Sequence, residues 1–393
     1  LVFSRTQSSP TGDPLLDFYL SRANGGFSSQ EREELKRKFA DDPRAGDLIF
    51  FETTAANFWV PGGSGSPEAF DKHFKEHSAD GSKVSPAMLR AYIDFWENQW
   101  AEEAPDVPYT GPDHKTLTNA QRVKYRTEHT ERTSAWIDVH HKKERNEAFA
   151  RLEQLAPDAS ITWYHKAMLT QGRGEYEKAI ECLRRGNAAP HNRILAPYPL
   201  LEYTHAARNN TALLRHPRIP IVSRMLLTHS VPSYMIQYKD MFFCLSAEAV
   251  TKGDTGAMND LHQFACRYAT MEDCGTLNAL VALILLKDAA KKIDLKPLTA
   301  QQRKHVGELL AKLDKLKVDL KAQVGNYPSS LAQANPSWFD TVREKLGREA
   351  DISYTLMHKD FVWEQQQFAQ NYRPQFEAIS KFDFNTYTWE QAK

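Results

Sequence analysis

Between Pro157 and Pro190 the chain spells out a complete helix–turn–helix unit, and no other stretch so restricts what it can fold into. Trp163, Ala167 and Leu169 fall on one apolar helical stripe, Gly172 and Gly174 interrupt it, and Tyr176, Ala179, Ile180 and Leu183 begin a second. Two short helices joined by a tight turn are expected. Signals of the same kind recur elsewhere. Ser28 with Glu31, Thr118 with Gln121 and Thr299 with Gln302 have capping-box spacing, and Ser66-Pro67 and Ser85-Pro86 place proline at a first helical position. No convincing alternating strand pattern competes with them. The chain should be all-α.

Within the hairpin, Trp163 comes early in the first helix, the small Ala167 stands four residues on, Gly174 and Tyr176 form Gly-x-Tyr, Ala179 lies three beyond the tyrosine and Pro190 closes the unit. These positions resemble a tetratricopeptide repeat. Four features depart from that pattern. Lys166 and Thr170 stand where apolar or aromatic residues are preferred, Gly186 replaces a second-helix alanine, and Pro190 is one residue early. Arg145 to Pro157 resembles the second helix of a preceding repeat, and its closing proline lies 33 residues before Pro190, against a family period of about 34. The resemblance covers about one and a half repeats, residues 120–190. An ordinary hairpin in an α-domain is the plainer alternative.

The resemblance implies helical hairpins of tetratricopeptide-like type stacked into an array, with additional N- and C-terminal helices. It also implies a concave surface lined by the first helix of each unit, which puts Tyr164, Met168 and Gln171 there, with Thr130 and Ser134 from the preceding half-repeat. His165 and Arg173 would stand at its margin. The implied partner is a protein or peptide, with no cofactor and no metal. The whole chain balances 50 basic against 50 acidic side chains, which gives no field for a nucleic acid. Its distribution is uneven: residues 1–113 hold 11 basic and 19 acidic groups, whereas residues 160–239 hold 11 basic and 4 acidic. An acidic partner segment would suit the second stretch, unless the acidic N-terminal section covers it.

Punctuation divides the chain into an extended arm over 1–14, a helical subdomain over 15–104, a proline-rich linker over 105–117, a repeat-like region over 118–290 and C-terminal helices over 291–393. From Thr118 to Ala156 no Gly or Pro intervenes, so one long helix or two closely joined ones are expected. A second hairpin is expected around Gly253-Asp254-Thr255-Gly256, and the clearest amphipathic helix carries Val306, Leu309, Leu310, Leu313, Leu316, Leu320 and Val324 on one face. Leu277 to Leu286 is about half the length a membrane span needs, and reads as a core helix. The first residue is Leu1, so an exported protein and a cytoplasmic one are both open.

Chemistry is sparse. Cys182, Cys244, Cys266 and Cys274 lack metal-ligand spacing and read as buried thiols. The glycine-rich Pro61–Pro67 stretch lacks the Lys-Ser/Thr ending of a phosphate loop. His129, His140, His141, Asp138 and Glu144 crowd one region, but Lys142, Lys143 and Arg145 among them argue for a solvated basic face. His262 and Cys266 are one helical turn apart and suit a core histidine beside a core thiol. The favoured function is a non-catalytic interaction or scaffold protein. The alternatives are an enzyme whose His, Asp and Glu residues are assembled by the fold, and an exported glycan binder using some of the eight tryptophans.

Overall fold

A computed structural model of the 393-residue chain describes residues 11–21, 27–57, 67–78, 84–104, 117–193, 195, 198, 202, 206, 233–271, 276–325 and 370–389. These are predominantly helical, with no β-strand among the described residues. The helices are α1 (Pro14–Ser21), α2 (Ser29–Lys38), α3 (Arg44–Asn57), α4 (Pro67–Ser78), α5 (Pro86–Glu103), α6 (Asn119–His140), α7 (Lys142–Leu155), α8 (Ser160–Gly172), α9 (Tyr176–Ala188), α10 (Ser233–Lys252), α11 (Thr255–Ala269), α12 (Thr276–Lys291), α13 (Ala300–Gly325) and α14 (Arg373–Ile379). Several expected features fall wholly or largely outside the described residues: the arm, the 105–117 linker, the Pro61–Pro67 loop, Cys274, and residues 326–369 of the C-terminal helices. Among the described residues, no helix is long and apolar enough to cross a membrane.

The expected start signals act where spacing put them. Ser28 Oγ accepts from the Glu31 amide while Glu31 accepts from the Ser28 amide, Thr118 and Gln121 do the same, and so do Thr299 and Gln302. Ser85 Oγ accepts from the Met88 amide ahead of α5. The uninterrupted stretch after Thr118 forms two helices, because the backbone bends at His141 (φ −133°) and its ring stacks at 4.9 Å on Trp100. No proline or glycine marks that break.

Contacts group the chain into two units, one comprising Leu1–Tyr92, Leu195–Val231 and Tyr327–Glu364, the other Ile93–Ile194, Pro232–Asn326 and Gln365–Lys393. In the first, Phe50 is fully buried, stacked at 4.9 Å on His73 and edge-on to Phe51, Phe74 and His77. Burial acts there on groups of both signs, pushing the Asp47 carboxyl up to about 7 and the His77 imidazole down to about 4. Arg44 bridges Asp13 and Asp42, and its guanidinium lies 5.0 Å from the Tyr198 ring.

The second unit is built from hairpins. Helix α8 packs along α9, and Gly174 supplies the positive φ of 70° at their turn; α10 and α11 are joined through Gly253 at φ 65°. Trp163, Tyr176, Ala179, Ile180 and Leu183 are buried as the stripe pattern required. The indole N–H of Trp163 donates to the Pro157 carbonyl at 2.7 Å. At the far end of the hairpin the Ser160 amide donates to His191 O at 2.9 Å and the His191 amide to Asp158 O at 3.1 Å, tying the segments beside the two prolines together. Helix α11 packs on α9 and α12, α12 on α13, and α10 on α6, α8 and α11. The apolar face of α13, with Val306, Leu313, Leu316 and Leu320, is buried. Beyond α14, Phe384 and Trp389 lie against this unit, with His262 donating to the Ile379 carbonyl at 2.9 Å.

Candidate functional site

Helices α6 and α8 cross closely. A Cβ on Gly172 would lie 3.0 Å from Ser134 Oγ and 3.1 Å from its Cβ, so a side chain there would hold the helices apart. Beside this crossing a partly open cleft of about 180 Å³ is enclosed by α5, α6, α7, α8 and α10. An apolar cavity of about 150 Å³ accommodates a benzene-sized molecule, so this one suits a single side-chain-sized group.

Its apolar wall comes from Ile137, Met168, Leu169 and Met241. Its polar wall holds Thr130, Thr133, Ser134, Gln171 and Gln237, with His129 and the charged Glu97, Arg145 and Asp240. The charges are matched. Arg145, only 4% exposed, donates from Nε and Nη2 to the two Glu97 oxygens at 2.6 and 2.8 Å, and from Nη1 to Ser134 Oγ at 3.1 Å and Asp138 Oδ1 at 3.3 Å. Arg173 then clasps Asp138 at 2.5 and 2.6 Å and reaches Asn146 Oδ1 at 2.9 Å. Partial burial raises the Asp138 carboxyl, but the hydrogen bonds and charges of Arg173 and Arg145 outweigh it and hold it below the usual carboxylate range. Asp240 faces Arg126 Nε at 3.5 Å.

Gln171 stands apart from this network. It is 5% exposed, and its Oε1 has no hydrogen-bond partner among the described residues although it belongs to the cleft lining. Such an oxygen is held by water or by a guest.

Thr130, Ser134, Met168 and Gln171, four of the residues expected on a concave surface, line this one cleft. The other three sit differently. Tyr164 is fully buried, its ring edge-on to Phe264 and its hydroxyl donating to Asn187 Oδ1 at 3.0 Å, because it fills space above Gly186 that an alanine would occupy. His165 is 1% exposed, with Nδ1 3.3 Å from the Tyr238 hydroxyl and Nε2 3.8 Å from Asp94. Arg173 is tied to Asp138 and Asn146. Glu97, Arg145, Gln237 and Asp240 were not singled out from sequence as cleft residues, and Glu97 gives no local signal, being 48 positions from the arginine it holds.

The other candidates are packed. His140 stacks at 4.2 Å on Trp136 and donates from Nδ1 to its carbonyl, while His141 lies on Trp100. Among the described residues, no group of three His, Cys, Asp or Glu side chains is disposed to hold a metal. Cys182, Cys244 and Cys266 are buried, and burial pushes each thiol up, Cys244 to about 11. His262 donates its Nε2 proton to Ile379 O and its Nε2 lies 3.9 Å from Cys266 Sγ, so the ring gives that thiol no base at its nearer nitrogen. The sequence matches no protein-family model, no curated protein and no solved structure.

Proposed function

We propose that the second unit is a non-catalytic interaction module: helical hairpins of tetratricopeptide type, stacked so that α6, α8 and α10 present a cleft to a peptide or protein segment. The observation that carries this reading is that Thr130, Ser134, Met168 and Gln171, expected on an inner surface from the register of the repeat alone, line one cleft. Its volume fits one anchoring side chain of the bound segment, with the helices around it meeting the flanking residues. An acidic segment is not favoured, because Arg173 already holds Asp138 and His165 is enclosed.

Selection of random peptides from a phage library on the immobilised full chain tests the proposal. Enriched peptides should bind the parent and lose at least about tenfold in affinity against Met168→Arg, whose longer side chain fills the cleft. Circular dichroism of that variant should match the parent. Failure to enrich any peptide, or peptides that bind the two proteins equally, would refute the interaction reading.

A further inference from the structure

We infer that the cleft recognises an uncharged amide group in preference to a carboxylate, an ammonium or a hydroxyl. This deepens the interaction reading and rests on it only for the identity of the molecule that carries the amide. The first argument is charge. Glu97 and Asp138 are held by Arg145, and Asp240 faces Arg126, so each charge beside the cleft has its counter-ion. A guest carboxylate would sit close to Glu97 and Asp240, and a guest ammonium close to Arg145. Either would lose its hydration without gaining an unmatched partner.

The second argument is the hydrogen-bonding capacity that remains. Gln171 Oε1 is a buried acceptor with no donor among the described residues. Arg145 carries five N–H bonds, and its four hydrogen bonds to Glu97, Ser134 and Asp138 leave one N–H over in a side chain that is 4% exposed. The two side chains stand on separate helices and both belong to the lining of the same small cleft. A planar amide offers an N–H to the first and a C=O to the second from different atoms, and it is neutral, so its transfer from water costs far less than that of an ion. The methionines Met168 and Met241 give its hydrocarbon stem an adaptable apolar wall.

Two sources carry this chemistry, the side chain of Asn or Gln and the peptide backbone. Ligand-observed saturation-transfer NMR on the full chain would compare propionamide for the side-chain form, N-methylacetamide for the backbone form, and propionate, propylammonium and 1-propanol as alternatives. One or both amides should bind at least about tenfold more tightly than the other three, and the tighter amide names the source. Gln171→Leu should lower that amide's affinity by about tenfold, with circular dichroism unchanged. Propionate, propylammonium or propanol binding as well as the better amide would overturn the inference, as would amide binding indifferent to Gln171→Leu. The outcomes separate from those of the peptide selection. Amide binding without any enriched peptide would retire the interaction reading alone, and enriched peptides anchored in the cleft by a charged residue would retire this inference alone.

Discussion

Gly186→Ala should destabilise the protein although it replaces a glycine inside a helix by the best helix former. In an unconstrained helix that change gains about 1 kcal/mol. Here the new Cβ would lie 2.3 Å from Tyr164 Cε1, 2.6 Å from Cδ1 and 3.2 Å from Cζ. Carbon atoms rest at about 3.5–4.0 Å, so the ring must move by about 1 Å. It has nowhere to go: Tyr164 is 0% exposed, Phe264 is edge-on at 4.8 Å, and the hydroxyl is fixed 3.0 Å from Asn187 Oδ1. Overpacking of this kind costs about 1–3 kcal/mol, and a lost hydrogen bond adds about 1 kcal/mol. After the helix-propensity gain, the expected net loss is about 1–3 kcal/mol. With Tyr164→Leu in place the overlapping ring atoms are gone, and the same Gly186→Ala change should be neutral or stabilising by up to about 1 kcal/mol. Hydrogen–deuterium exchange of peptides covering Ser160–Ala188 reports the local free energy in the parent, both single variants and the double variant. If Gly186→Ala protects the hairpin in the parent, or has the same effect in both backgrounds, the steric argument is wrong.

Ala179 is fully buried in α9, and Ala179→Glu should cost several kcal/mol in chemical denaturation, since its carboxylate would have no partner there. Arg145→Met strands Glu97, while Asp138 keeps Arg173, and should cost about 3–5 kcal/mol, whereas the Arg145→Met, Glu97→Leu pair should recover most of that loss in the same assay. Burial holds His262 neutral and lowers its pKa to about 4, opposed by its bond to Ile379 O. The folded form therefore binds fewer protons than the unfolded one between about pH 6.5 and 4, and stability should fall by about 2–3 kcal/mol as pH drops through that window. Denaturation at pH 7 and 4.5 should show a loss in the parent that exceeds the loss in His262→Leu by about 2–3 kcal/mol, since the other buried groups, His77 and Asp47 among them, titrate alike in both.

The helical character was legible because caps and stripes are local, and Gly174 and Tyr176 mark their hairpin without help from the rest of the chain. Gly186 was legible only as a misfit. Its reason is Tyr164, 22 positions earlier, and nothing in the sequence says that this ring and that glycine meet. Tyr164, expected on an inner surface, is buried instead because its ring fills the space above Gly186. Met168 and Gln171 stand in the lining of a cleft beside the α6–α8 crossing at Ser134 and Gly172. Arg145 read as part of a solvated basic face. Glu97, Ser134 and Asp138 instead draw it inward, and that constellation is assembled from three helices with no shared periodicity.

The basic excess of residues 160–239 illustrates how a window of sequence misstates a field. Lys166 pairs with Glu153, Arg173 with Asp138 and Arg184 with Asp260, and each of these acids lies outside the window within the same unit. The pairs on Arg173 and Lys166 are part-buried, which shields them from salt better than surface pairs. A partner drawn by a basic surface would bind with an affinity that falls steeply as ions screen it. A partner held by an amide between Gln171 and Arg145 has no net charge to be screened, so its dissociation constant should change by less than about twofold between 50 and 500 mM salt. Calorimetric titration of any peptide enriched on the cleft measures this directly. A tenfold loss over that range would mean that long-range charge does the holding and that the internal pairs do not neutralise this face.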